Sequence, residues 1–99
     1  MTVFETLQTL GLPIVYGAHT ERIQTPYLLL TGGGQLQAPA DDTYVWKEEL
    51  YQLEYYFTDK DPDLEERIEA RLLDMGRLYD KSEDLYLNDQ KVFMIYYNF

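Results

Sequence analysis

The sequence predicts an α+β fold: a mainly antiparallel sheet of about five to six strands with two helices, in the order α-β-β-β-β-α-β-β. Two stretches carry apolar residues at helical spacing, and the stretches between and after them carry the aromatic and β-branched residues that are typical of strands. The strands fall in runs and do not alternate with helices, which favours antiparallel pairing. The 99 residues fit one domain with a single core, residues 1–99.

The first helix is predicted from a start signal near the beginning of the sequence. Thr2 and Glu5 have the T-x-x-E spacing of a capping box, in which the threonine side chain accepts a hydrogen bond from the glutamate amide. The apolar residues of this segment fall on one side of a helix: Val3, Phe4, Leu7 and Leu10. Gly11 and Pro13 then end the helix.

Two short strands are predicted next. The first lies within residues 13–19, around Ile14 to Tyr16. The second is the compact apolar run Tyr27 to Leu30, which we expect to be covered on both faces. The triple glycine at 32–34 is expected to break that strand and to begin a mobile polar link as far as Asp42.

A change of parity marks the following segment. Aromatic residues occupy even positions at Tyr44 and Trp46, whereas the apolar residues from Tyr51 to Phe57 occupy odd positions. Because a strand repeats every two residues, this change requires a bulge or a turn near Lys47 to Glu49. The segment is therefore either two strands or one long strand bent by a bulge.

The D-x-D-x-D run at residues 59–63 resembles the start of a calcium loop. An EF-hand loop also requires a glycine at position 6 and a glutamate at position 12, where this chain has Leu64 and Ala70. We therefore interpret the run as a helix start, with Asp61 as the N-cap and Pro62 at the first helical position.

The second helix and the tail follow from their apolar patterns. Four apolar residues keep helical spacing: Leu64, Ile68, Leu72 and Met75. Glu65 and its acidic neighbours are expected on the solvent side, and Gly76 is expected to be the C′ residue. The tail is predicted to be a hairpin of residues 77–86 and 91–99. Its segment 92–97 is apolar on both faces, so we expect a central strand or one pressed against another subunit.

Composition limits the classes of partner. The net charge of −10 disfavours binding of the general surface to nucleic acid or to an anionic membrane. The absence of cysteine excludes disulfides, thiolate nucleophiles and cysteine-ligated zinc. No apolar stretch has the length of a membrane span, and the first residues lack the features of a secretory signal.

No enzyme signature emerges from the sequence. His19 is the only histidine, and Ser82, the only serine, has no surrounding nucleophile motif. The triple glycine lacks the lysine and Ser/Thr of a phosphate loop. We therefore predict a non-enzymatic protein with no catalytic residues, no cofactor and no metal site.

Several segments, taken in order, resemble one family. They are TPYLLL at 25–30, ADDTY at 40–44, LEYYFTDKD at 53–61, the acidic helix after it, YDK at 79–81 and VFMIYY at 92–97. In their order, spacing and total length they resemble the small tail completion proteins of long-tailed bacteriophages and prophages, also called tail terminators or head–tail joining proteins. The triple glycine and the Tyr56-Phe57 pair depart from the family pattern.

The resemblance implies a structural virion protein. Such subunits form a ring, usually hexameric, that caps the tail tube and joins the tail to the head connector. The implied partners are further copies of the chain, the tail tube protein and the head connector or stopper protein, while DNA passes through the channel without specific binding. The implied location is the host cytoplasm during assembly and then the virion, at the tail–head junction. Candidate subunit-interface residues are Gly32, Gly33, Gly34, Phe93, Ile95 and Tyr97.

Two alternative functions stay open. The first is a head-closure or neck subunit of the same particle. The second is an acidic inhibitor that mimics DNA, which the net charge of −10 suggests. A DNA mimic needs carboxylates spaced like phosphates along one face, whereas the acidic residues here are spread over the predicted helix and turns.

Overall fold

A computed structural model describes residues 2–18, 23–40 and 44–99, and in it two helices pack against a six-stranded sheet. The predicted α+β class with a mainly antiparallel sheet is confirmed. His19 and the segment 41–43, for which predictions were made, lie outside the described residues. In chain order the elements are α1 Val3–Gln8, β1 Ile14–Tyr16, β2 Tyr27–Ala40, β3 Tyr44–Phe57, α2 Pro62–Asp74, β4 Asp80–Lys81, β5 Leu85–Leu87 and β6 Val92–Asn98.

The strands lie in the spatial order β1-β2-β3-β6-β4, and β5 also pairs with β6. The β1–β2 pair is parallel and all other pairs are antiparallel. Strand β6 has β3 on one side and β4 and β5 on the other, so the prediction of a central strand at 92–97 is confirmed. A strand with neighbours on both sides and apolar residues on both faces needs cover on both faces.

The strands are distributed as three before α2 and three after it. The segment 44–57 forms one strand, as in the second alternative for this region. The irregularity lies on its partner, between Gly32 and Gly34 of β2, and the bulge expected near Lys47 to Glu49 is not there. The bulge shifts the register of the pair and the alternation of β2, while β3 continues without an inserted residue; glycine lowers the cost of the bulge on β2.

The triple glycine does not break β2, contrary to the prediction. The strand continues to Ala40, with Gly32 opposite Tyr51 and Gly34 opposite Leu50. A Cβ on Gly33 would lie 3.2 Å from the main-chain atoms of Leu50 and Tyr51, and Gly34 has a φ of +97°. The glycines therefore allow a bulge that a residue with a side chain would strain.

The helix ends follow the local signals. Thr2 and Glu5 form the predicted capping box, with hydrogen bonds of 3.1 Å in both directions. The Asp61 side chain accepts a hydrogen bond from the Leu64 amide, and Pro62 is the first residue of α2. At the other end Gly76 has a φ of +74° and the Arg77 amide donates to the Leu72 carbonyl, as in a Schellman motif.

The two faces of the sheet are covered differently. On the first, which we call the helix face, the helices enclose the main core of Leu7, Leu10, Leu28, Leu30, Leu53, Tyr55, Phe57, Leu64, Ile68, Leu72, Ile95, Tyr97 and Phe99. On the second, the open face, a smaller cluster consists of Tyr27, Leu29 and Tyr56, with Val15, Ile23, Leu87, Val92 and Met94 packed against it. Neither described helix contributes to the open-face cluster.

Candidate assembly surface

Strands β2 and β3 extend together beyond the rest of the sheet. The molecule measures 52 × 25 × 24 Å, and its radius of gyration of 15.1 Å exceeds the value of about 13 Å for a compact domain of 100 residues. The extension consists of residues 32–40 of β2 and 44–50 of β3, which we call the arm. The described pairs of β1 end at Leu30 and those of β6 at Gln52, so neither strand flanks the arm.

The described side chains of the arm, those of residues 32–37 and 47–50, have little packing of their own. Residues 32–37 are all exposed, including Leu36 at 49%. The side-chain contacts that the structure shows within the arm are polar: Gln35 donates to Glu49, and Gln37 donates to Gln35. An isolated two-stranded ribbon is at best marginally stable in water. The arm is therefore the part of the sheet that gains most from a partner.

Within residues 2–18, 23–40 and 44–99, no strand pairs with the outer edge of β2 along the arm; we call this the open β2 edge. The Gly17 amide donates to the Leu30 carbonyl at 2.8 Å, which is the last described contact of the β1 segment along this edge. Before the bulge, the even-numbered residues of β2 point their main-chain groups toward this edge, and after it the odd-numbered residues do. The N–H and C=O groups of Gln35 and Gln37 therefore point outward. The segment from Thr25 to Ala40 carries no charged residue. Exposed edges usually carry charges or prolines that block strand pairing; this edge carries no charge, and Pro39, which has no N–H group, leaves Gln35 and Gln37 as its outward donors beyond the bulge.

The outer edge of β3 is partly occupied. Tyr51 and Phe99 exchange two main-chain hydrogen bonds of 2.9 Å, so the odd-numbered residues of β3 point their main-chain groups toward this edge. At the next odd position the Glu49 carbonyl accepts a 2.7 Å hydrogen bond from the Arg77 guanidinium. Arg77 also lies over the ring of Tyr51, 5.1 Å from its centroid. An arginine donor thus stands where the N–H group of a further strand would lie.

A groove of about 570 Å³ borders this β3 edge. Asn98 and Phe99, where β6 ends, line it together with Gly33 and Leu36 of β2. Leu78, which also lines the groove, is 87% exposed. The residues that line the groove are Gly33, Leu36, Glu48, Leu50, Tyr51, Gly76, Leu78, Asp80, Asn98 and Phe99.

A buried carboxylate anchors the segment between the groove and β6. Glu65 was expected on the solvent side of α2, but only 3% of the residue is exposed. It lies 3.0 Å from the Lys81 ammonium and 2.7 Å from that of Lys60. Each of the two Glu65 oxygens thus faces one ammonium group, Oε1 that of Lys81 and Oε2 that of Lys60. A buried charge needs such pairing.

Glu69 lies beside this ion-pair cluster and holds the same segment. Its carboxylate accepts hydrogen bonds from Lys81 at 2.8 Å, Tyr97 at 2.9 Å and Tyr79 at 3.2 Å. Burial by itself would raise the pKa of Glu69, but these hydrogen bonds and the Lys81 charge outweigh it and lower the pKa. Burial and then the Glu69 contact raise the pKa of Tyr97. Burial, with the charges of Glu65 and Asp61, raises the pKa of Tyr55 to about 12.

We expect Glu69→Gln to lower the free energy of unfolding at pH 7 by about 1–2 kcal/mol, since three donors lose an ionised acceptor. The pKa of Glu69 is lowered by folding, so its contribution is present above the unfolded pKa and is lost as the pH falls through the folded pKa. Urea denaturation from pH 7 to pH 3 should therefore show the two proteins converging below about pH 4. Glu66→Gln, at an exposed position of the same helix, is the control. A difference that persists undiminished in acid would contradict this account.

The structure separates the six candidate interface residues into two groups. Gly32, Gly33 and Gly34 lie in the arm, where a Cβ on Gly32 would meet no atom within 4 Å. Ile95 and Tyr97 are fully buried in the chain's own main core, and Phe93 packs against that core. The side chains of Ile95 and Tyr97 are thus unavailable to a partner in this fold.

Sequence reasoning missed Leu36, Arg77 and Leu78. The available signal was an isolated leucine in a polar context, at 36 within GGGQLQ and at 78 just after the glycine that ends α2. Nothing local in the sequence indicates that the two leucines line one groove. Only the sheet pairing brings them together.

In the described ranges 2–18, 23–40 and 44–99, no group of three or more His, Asp or Glu side chains is arranged to hold a metal ion. Among these residues no helix is long and apolar enough to cross a membrane. Comparison of the chain with models of known protein families finds no match, and comparison with curated protein sequences finds none either.

Proposed function

We propose that this chain is a non-enzymatic structural subunit that assembles into a ring, caps the tail tube of a long-tailed phage and joins the tail to the head connector. The observation that carries the assembly part is the arm, a two-stranded ribbon with an open β2 edge and a groove along its β3 edge. The family resemblance of the sequence supplies the tail-terminator part. The ring is proposed to be hexameric.

The two edges of the arm differ from each other, and this difference favours a ring over a two-fold dimer. One side is an open strand edge without charges, and the other is a groove lined by apolar residues and by Glu48 and Asp80, beside the β3 edge that Arg77 contacts. Contacts between unlike surfaces are heterologous, and they close into a ring when the rotation between neighbours allows it. Both surfaces occur on every copy, so each subunit can contact two neighbours.

The charge of the chain supports a channel for DNA. A net charge of −10 makes a ring of several copies strongly anionic, which disfavours adhesion of the phosphate backbone. The Lys60 and Lys81 ammonium groups are engaged by carboxylates of the chain itself. DNA would therefore pass without specific binding.

The same surfaces also suit a head-closure or neck subunit of the same particle. The two functions differ in which particle contains the protein. A terminator travels with tails that have not joined a head, whereas a head-closure subunit travels with filled heads that lack tails. Fractionation of both particle types, followed by mass spectrometry of each, distinguishes them.

The first experiment is a tube-capping assay. The tail tube protein of the same phage is polymerised in the presence of increasing amounts of the purified chain, and tube lengths are measured in negative-stain images. We expect shorter tubes, each with added density at one end, and closed rings of about six subunits in the free protein at high concentration.

Tube lengths that do not change at any ratio of the two proteins, with no density at tube ends, would contradict the terminator function. Asn88→Glu, at the turn between β5 and β6, is a control that keeps the fold and changes an exposed residue away from the arm. This variant should cap tubes as the native chain does.

A further inference from the structure

We propose that the open β2 edge of one copy's arm pairs with the β3 edge of the next copy, and seats in the groove that borders it. This inference rests on the proposed ring and identifies the surfaces that join its subunits. The partner is a second copy of this chain. The pairing is heterologous, so each arm joins two neighbours and the arms together form a continuous sheet around the ring.

Charge distribution selects the β2 edge as the part that enters the groove. Two copies with a net charge of −10 repel each other, so their contact is most favourable where carboxylates are absent. The groove already contains Glu48 and Asp80. The β2 segment from Thr25 to Ala40 adds no further negative charge to it.

The β3 edge is built to accept hydrogen bonds. Its Glu49 carbonyl already has an N–H donor, the guanidinium of Arg77 at 2.7 Å. An incoming strand offers an N–H group to the same acceptor, and Arg77 can then turn toward Glu48, whose carboxylate is 3.9 Å away. The exchange leaves both the carbonyl and the guanidinium with a partner.

The groove has room for the β2 edge of a neighbouring copy, and the glycines of that edge are small. The groove volume of about 570 Å³ has room for several residues of an extended strand. A Cβ on Gly32 would meet nothing within 4 Å, so the sheet face at this position of β2 is free of the chain's own atoms. Leu36 and Leu78 both line the groove and lose exposed apolar surface when it is filled.

The test uses one charge-matched set of three variants. Gly32→Glu places a charge on the β2 edge, Leu78→Glu places one on the groove wall, and Asn88→Glu adds the same charge at the far end of the sheet. All three positions are exposed, so each variant should keep the native unfolding midpoint. Circular dichroism and thermal unfolding establish that the variants fold before any association is measured.

Self-association is then measured by sedimentation velocity over a wide concentration range. We expect Gly32→Glu and Leu78→Glu each to raise the apparent dissociation constant at least about tenfold, because a charge is placed in a contact that should be free of water. Asn88→Glu should associate like the native chain. Unchanged association of either edge variant would overturn the proposed pairing, as would a native chain that stays monomeric at every concentration.

A mixture of the two edge variants gives the sharpest result. Gly32→Glu retains an intact groove and Leu78→Glu retains an intact β2 edge, so an equimolar mixture should form heterodimers and no rings. Native mass spectrometry resolves the two chains by mass. Like-edge pairing between two β2 strands predicts no heterodimer and continued dimerisation of Leu78→Glu, and either finding would overturn the proposal.

The tube-capping assay separates this inference from the proposed function. If both edge variants cap tubes as well as the native chain does, the pairing is wrong and the terminator function stands. If the native chain self-associates through these edges and no protein caps tubes, the pairing stands and the terminator function is wrong.

Discussion

Lys81→Met is expected to lower the free energy of unfolding by about 2–3 kcal/mol, although Lys81 lies at the edge of the sheet. The substitution leaves the Glu65 carboxylate buried with only Lys60 beside it, and Glu69 loses its cationic donor. Removing one partner of a buried pair costs about 3–5 kcal/mol. We expect less here because Lys60 keeps one ion pair and Lys81 is partly exposed. Urea denaturation at pH 7 measures the change.

Two further variants test whether the buried charge is the cause. Glu65→Met removes the charge itself and should cost less than Lys81→Met, since the two half-exposed ammonium groups can turn to water. The double variant Glu65→Met/Lys81→Met should recover part of the stability lost by Lys81→Met. Lys91→Met, at an exposed position in the turn before β6, is the control. A double variant less stable than Lys81→Met alone would contradict this mechanism.

Leu53→Ala is expected to cost about 3–5 kcal/mol, a large part of the stability of a domain of this size. Leu53 lies in the middle of β3 opposite Leu30 and Tyr97, and all three side chains are fully buried. Truncation leaves a cavity between two strands and the helices that cover them. Chemical denaturation at pH 7 should show a large loss, or a chain that is partly unfolded before denaturant is added.

Leu36→Ala makes the same chemical change on the neighbouring strand β2. We expect it to weaken self-association and to leave the free energy of unfolding nearly unchanged. Leu36 is 49% exposed on the arm, so its truncation should alter the free energy of unfolding by no more than about 0.5 kcal/mol. Because Leu36 lines the groove, the variant should self-associate less strongly than the native chain. A loss of stability similar to that of Leu53→Ala would show that the arm packs against the core.

The candidate assembly surface could be predicted only in part. The glycines at 32–34 are interface candidates, but they were expected to break β2, because a run of glycines gives no side-chain pattern by which a strand could be recognised. Ile95 and Tyr97 were chosen because their strand is apolar on both faces. Such a pattern does not reveal which face belongs to the chain's own core. The groove could not be predicted, since its walls come from residues far apart in the sequence.

The sequence by itself determined the features that depend on near neighbours. The capping box at Thr2, the N-cap at Asp61 and the Schellman end at Gly76 involve hydrogen bonds spanning a few residues. The apolar pattern of 92–97 likewise predicted a strand that is central or pressed against another subunit, and β6 has neighbouring strands on both sides. These features follow from side-chain chemistry and backbone preference, which act over a single helical turn or strand.

The tertiary structure alone decided the rest. Strand β2 continues through its glycines because it is hydrogen-bonded to β3, and main-chain hydrogen bonds to a neighbouring strand need no side chain. Contacts from Lys60 and Lys81 made it possible to bury Glu65, a residue that helical spacing placed in solvent. Both outcomes depend on residues distant in the chain, and their free energy arises only when the fold brings those residues together.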